Sequence, residues 1–202
     1  VLICIPLSFY YAMANPSLTD TYKTAFLATH PGEKLPDTFF VENKMSLGQV
    51  SEVFFMLLLP FAYRRLGIKN ILIVGLLAWI IRFLFFGYGN AGSGEWMLYT
   101  AILLHGVCFD FFFVTGMIYT DEKAGEKIKS SAQGLISLAT YGVGMFLGSV
   151  LSGVVTEKYS HQQGTETIIS WPAVWNIPAG IAAVVLLLLI LFFRPEKKVH
   201  LS

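Results

Sequence analysis

Four ionisable side chains interrupt otherwise apolar stretches of this 202-residue chain: Glu52, Arg82, His105 and Asp110. Glu52 follows Gln49 by three positions, a spacing that puts both on one face of a helix. A carboxylate inside a bilayer costs several kcal/mol unless something compensates for it, so such a residue marks a functional site by default. The chemistry open to this set is proton uptake and release, hydrogen bonding to a polar solute, or a buried ion pair.

The elements that carry these residues are apolar. The chain is 55% hydrophobic and 13% charged, with a mean hydropathy of +0.63. A soluble domain carries about a quarter charged residues, so this composition predicts an all-α integral membrane protein. The net charge of +1 gives no reason to expect nucleic acid as a partner. Cys4 and Cys108 lie in separate apolar runs and read as free thiols. There is no HExxH, CxxC or glycine-rich phosphate loop, and neither metal nor cofactor is expected. The chain opens at Val1 within an apolar run, without a basic n-region or a small-residue cleavage site. It therefore reads as a helix entered part-way, from a longer protein, rather than as a signal peptide.

Six stretches approach the roughly 20 residues needed to span a bilayer: about 1–16, 46–63, 70–88, 96–118, 130–155 and 172–193. Pro6, Pro60 and Pro178 fall inside spans and mark expected bends. Nine basic residues fall on one side: Arg64, Arg65, Lys69, Lys123, Lys127, Lys129, Arg194, Lys197 and Lys198. The other side holds four, Lys23, Lys34, Lys44 and Lys158, while Arg82 lies within a span. The richer side is expected to be cytoplasmic, with both ends of the segment there. The long connection 17–44, with Pro31, Gly32 and Pro36, reads as a solvated connector; the lesser alternative is that its first half prolongs the preceding helix beyond the membrane. Gly144-x-x-x-Gly148 predicts close helix packing in the fifth span.

At about 1.5 Å rise per residue, Glu52, Arg82 and Asp110 all reach ~15 Å depth on three separate helices, with His105 about one turn further out. Arg82 and Asp110 can form a structural ion pair that fixes two helices. Glu52 then has no cation left at its level, which makes it the candidate for a residue that takes up a proton. His105 reads equally as a relay member, a ligand donor or a hydrogen-bonded core residue. Tyr10, Tyr11 and the aromatics around Asp110 (Phe109, Phe111, Phe112 and Phe113) are mostly packing or lipid-facing. One or two of them can stack on a flat ligand while Asn15, Gln49 and Glu52 bind its polar edges.

The succession Gln49-Val-Ser-Glu52, Arg65-Leu-Gly-Ile-Lys-Asn70, Ala78-Trp-Ile-Ile-Arg-Phe83, Phe109-Asp-Phe-Phe112, Ser131-Ala-Gln-Gly134 and Ser152-Gly153 resembles the carboxy-terminal half of bacterial nucleoside:proton symporters of the major facilitator superfamily. The resemblance runs from about Asn15 to Glu157. It implies spans seven to twelve of a twelve-helix transporter whose amino-terminal half is absent here. It further implies proton-coupled nucleoside import across the bacterial inner membrane by alternating access. The partners implied are nucleoside, protons, the bilayer and the missing half. The resemblance casts Asn15, Gln49, Glu52 and Phe109 as solute-binding residues, to which His105 is added, and Glu52 with Asp110 as proton-coupling residues. Ala12 stands where the family pattern has a glutamine, and His105 where it has a tyrosine. Those two departures keep open a permease of the same superfamily for a sugar or nucleobase. An intramembrane serine protease is disfavoured, because Leu151-Ser-Gly153 lacks the preceding glycine of a nucleophile elbow and the sixth span has no histidine.

Overall fold

The computed structural model describes residues 2–33, 41–164 and 166–194; Lys34, Pro36, Lys197 and Lys198 of the sequence reading lie outside them. Cys4–Thr29 forms α1 and Val41–Tyr88 forms α2. Glu95–Phe109 (α3), Thr115–Ser137 (α4) and Met145–Lys158 (α5) follow one another through π-helical turns at Asp110–Val114 and Leu138–Gly144. An antiparallel hairpin, β1 Ser160–Gln163 and β2 Glu166–Ile169, precedes α6, Trp171–Phe192. The hairpin was not legible as strands, because His161, Gln162 and Gln163 carry no alternating apolar pattern. Gly164, with φ of +67°, makes its turn.

Two glycines divide the long helices. Gly67 (φ 70°, ψ 163°) interrupts α2 and Gly125 (φ 66°, ψ 168°) interrupts α4. That region of backbone space belongs almost wholly to glycine. Both breaks fall between expected spans and beside basic clusters.

Three helical stretches among the described residues are long and apolar enough to cross a membrane: Val41–Tyr88, Glu95–Lys158 and Trp171–Phe192. The chain is thus a multi-pass, essentially all-helical membrane protein. α1 is long enough but too polar over its second half, where Asn15, Ser17, Asp20 and Thr21 fall. It also runs well past the expected end at residue 16, so the connector begins only after Thr29. Packing explains the extension. Trp175 Nε1 donates to Ser17 Oγ at 3.0 Å, Trp171 Nε1 donates to Asp20 Oδ2 at 2.7 Å, and Leu18 is buried.

The core lies where α1, the second half of α2, α3 and α6 meet, around Leu7, Phe9, Trp79, Phe83 and Trp175. Phe83 and Phe86 both stack on Trp175, with centroids 5.7 and 5.1 Å away. Gly144 and Gly148 lie one helical turn apart and face Cys4 and Ser8 of α1. A side chain at Gly148 would press on Ser8 and the Ile5 carbonyl. The expected close packing is therefore an α1–α5 contact, and Ser8 Oγ seals it by donating to the Met145 carbonyl at 2.9 Å. Cys4 and Cys108 are free and buried.

Candidate solute and proton site

The site is built on the closeness of two backbones. Gly48 of α2 lies against Ile102 and His105 of α3, and Ser51 lies against Gly106, where an added Cβ would fall 2.5 Å from the Ser51 carbonyl oxygen. Ser51 Oγ donates to the Gly48 carbonyl at 2.7 Å and accepts the Gly106 amide at 3.1 Å. This buried clip fixes the register of the neighbours on either side, Glu52 and His105. The result is His105 Nε2 at 3.4 Å from Glu52 Oε2.

Arg82 approaches the same imidazole from the second half of α2. Its Nη1 lies 2.9 Å from His105 Nδ1 and 3.4 Å from Cys108 Sγ. Its guanidinium also sits 3.6 Å from the ring centre of Tyr10 on α1. Arg82 has no exposed surface, and a desolvated cation over an aromatic face gains ~2 kcal/mol or more. The Tyr10 ring in turn lies 5.4 Å from that of His105.

A cavity of about 280 Å³ opens in front of this group. Asn15 lines it from α1, Gln49 and Glu52 from α2, and His105 and Phe109 from α3. These are all five residues that the sequence reading places at a solute site, brought together from three helices. Tyr10, Tyr11, Ala14 and Met45 complete the wall. Polar groups converging on an aromatic-lined concavity are what a small polar solute requires. The other aromatics divide as expected, with Phe111 and Phe113 buried in the packing.

Asp110 stands apart from the cavity, and the expected ion pair with Arg82 does not form. Neither Asp110 oxygen has a hydrogen-bond partner, nor do Arg82 Nε and Nη2, although both side chains are fully buried. Helix geometry gives the reason. His105, Cys108 and Phe109 lie three and four residues apart on one face of α3, whereas Asp110 follows Cys108 by two and points about 200° away. Arg82 meets the first face and so misses Asp110. Asp110 also opens the π-helical turn, where Thr115 Oγ1 donates to its carbonyl at 3.2 Å. Such single π turns shift the register of the helix beyond them and recur at functional sites.

Ser51, as the clip, escaped the sequence reading, and Tyr10, read there as a packing or stacking aromatic, cushions Arg82. Ser51 and Gly106 carry a signal, since small residues on neighbouring helices next to buried polar ones mark a close crossing. Tyr10 carries none beyond its type.

Comparison with known proteins bears on the same region. The model of a family described as "Nucleoside H+ symporter" matches residues 1–198. The putative nucleoside transporter YegT of Escherichia coli K12 is 40% identical over 197 residues, covering 96% of this chain and 43% of that protein. The nucleoside permease NupG of the same organism is 35% identical over 188 residues, covering 90% of this chain and 44% of its own. A crystal structure of a NupG mutant superposes with a TM-score of 0.78 at 30% identity, over 96% of this chain and 46% of that one. The chain thus spans less than half the length of the relatives it matches.

Proposed function

The chain belongs to the nucleoside H+ symporter family, and we propose that it is the carboxy-terminal, cavity-forming part of a proton-coupled nucleoside importer. The observation that carries this reading is the convergence of Asn15, Gln49, Glu52, His105 and Phe109 on one cavity. The volume, about 280 Å³, falls just below the range of a complete small-molecule site. That fits a wall that a second, preceding half completes. The relatives reported above are named for nucleosides, which favours nucleoside over sugar or nucleobase.

Divided at Gly67 and Gly125, the helical runs among the described residues number six, a count that supports reading the chain as half of a twelve-span major facilitator. Such halves repeat about an axis along the membrane normal. In this reading the first span is carried by α1, which extends outward. The basic clusters at Arg64, Arg65 and Lys69 and at Lys123, Lys127 and Lys129 flank the two glycine breaks, so that end is assigned to the cytoplasm of a bacterial inner membrane. Asn15, Gln49, Glu52, His105 and Phe109 contact the solute, and Glu52 and Asp110 exchange the proton. Asp110 has no partner for either oxygen, and an unpaired buried charge is too costly to persist, which supports a residue that alternates with its neutral acid. Proton uptake from outside removes buried charge and favours solute binding. Rocking of the two halves then opens the site inward, where solute and proton leave.

The deciding measurement is uptake of radiolabelled uridine and adenosine by cells that make the full-length parent protein, with and without a protonophore. Uptake that collapses with the proton gradient is the expected result. No uptake of either nucleoside by protein shown to reach the membrane would sink the substrate.

A further inference from the structure

The imidazole of His105 is contacted at both nitrogens by groups of opposite character. A guanidinium can only donate hydrogen bonds, and Arg82 Nη1 meets Nδ1 at 2.9 Å. Nδ1 is therefore the accepting, unprotonated nitrogen, and the ring hydrogen sits on Nε2. Nε2 faces Glu52 Oε2 at 3.4 Å, close enough for an N–H···O contact that must tighten to become a full hydrogen bond. The ring itself cannot wander. It is 5% exposed, flanked by Tyr10 at 5.4 Å and Phe109 at 5.8 Å, and its Cβ lies where a side chain at Gly48 would press.

We propose that His105 is a positioning residue, a neutral imidazole whose tautomer Arg82 fixes so that Nε2–H holds Glu52 Oε2 and leaves Oε1 as the single oxygen shared by solute and proton. The inference rests on the reading of the cavity as a proton-coupled nucleoside site, and adds the device that couples the two ligands there. With Oε2 held, an ionised Oε1 accepts a hydrogen bond from a solute N–H or O–H. When Oε1 takes the proton, it becomes a donor and seeks a solute carbonyl or ring nitrogen. Solute orientation and proton occupancy are then decided at one atom. Arg82 acts on this atom through the imidazole, without touching the cavity. The other ionisable groups within electrostatic reach of Glu52 are Tyr11 on α1, Asp110 in the π turn and Tyr141 in the second π turn. None of them is hydrogen-bonded to it among the described contacts.

The test compares full-length His105→Phe and His105→Gln with wild type in proteoliposomes, measuring initial uridine uptake against external pH. Phenylalanine keeps the ring volume and removes the donor; glutamine keeps an N–H near the Nε2 position. His105→Phe is expected to raise the uridine KM about tenfold and to move the alkaline limb of uptake up by about one pH unit, the scale of a lost hydrogen bond to a charged group. His105→Gln is expected to restore both. A merely structural histidine would lower the amount of active transporter, and hence maximal rate, with KM and the pH limb unchanged, and that outcome overturns the proposal. So does a His105→Gln that behaves like His105→Phe. Should either variant fold poorly, Arg82→Met in the wild-type background is the second reading. It frees the tautomer, and an unchanged pH limb there refutes the coupling through Arg82. Wild type inactive on uridine would instead defeat the nucleoside reading itself.

Discussion

Glu52 and Asp110 are both carboxylic acids in apolar helices, yet their surroundings differ. Glu52 lines the cavity and faces an imidazole, while Asp110 is fully buried with both oxygens unpartnered. Removing one partner of a buried ion pair costs ~3–5 kcal/mol because the other charge is stranded. Asp110 has no such partner here, so Asp110→Asn is expected to leave thermal unfolding in detergent unchanged or slightly raised. Proton-driven accumulation of nucleoside should at the same time fall at least tenfold. A drop in melting temperature equivalent to several kcal/mol would show that Asp110 holds a structural ion pair after all.

Among the elements, the α1–α5 crossing is the contact with least tolerance. Gly148 faces Ser8 and the Ile5 carbonyl with no room for a methyl group, whereas Gly180 on α6 has nothing within 4 Å of where its Cβ would be. Overpacking a tight contact costs ~1–3 kcal/mol, and replacing a mid-helix glycine by alanine in open space gains ~0.5–1 kcal/mol. Gly148→Ala is therefore expected to lower the melting temperature and Gly180→Ala to hold or raise it, as read by differential scanning fluorimetry of the full-length protein. Equal effects would mean that α1 and α5 do not cross as described. This part of the fold was half legible: Gly144-x-x-x-Gly148 announced a close approach, but the partner helix could not be named from the motif. The extension of α1 to Thr29 was legible only as the lesser alternative, for the opposite reason. Its polar residues look like a solvated connector until Trp171 and Trp175, about 150 residues later, supply their partners.

For the molecule as a whole, the two ends differ in charge and construction. At one end Lys69 Nζ donates to the Ile190 carbonyl at 2.8 Å, and Lys129 pairs with Asp121 at 3.2 Å. At the other, Lys44 pairs with Glu95 at 3.2 Å while its ammonium lies 3.8 Å from the Tyr22 ring centre. If the basic end is cytoplasmic, Lys127→Cys in intact cells should resist a membrane-impermeant maleimide and His161→Cys should react. Both positions are exposed, and the two native cysteines are buried and should give little background. The reverse labelling pattern would invert the topology.

Composition and hydropathy determined the class of this protein, because lipid selects for apolar length whatever the helices pack against. They also picked out candidate side chains, since a polar group in such a helix is costly. Asn15, Gln49, Glu52, His105 and Phe109 could be chosen from sequence on that ground together with the family resemblance. What tertiary structure alone decided was pairing. Depth along a helix comes from counting residues, and depth suggested Arg82 with Asp110. Direction around the helix decides contact, and it gave Arg82 to His105, Cys108 and Tyr10, leaving Asp110 unpaired. A helix rotates about 100° per residue. Two residues can therefore share a level and face opposite ways, and only the packing of three helices fixes which face each one turns inward.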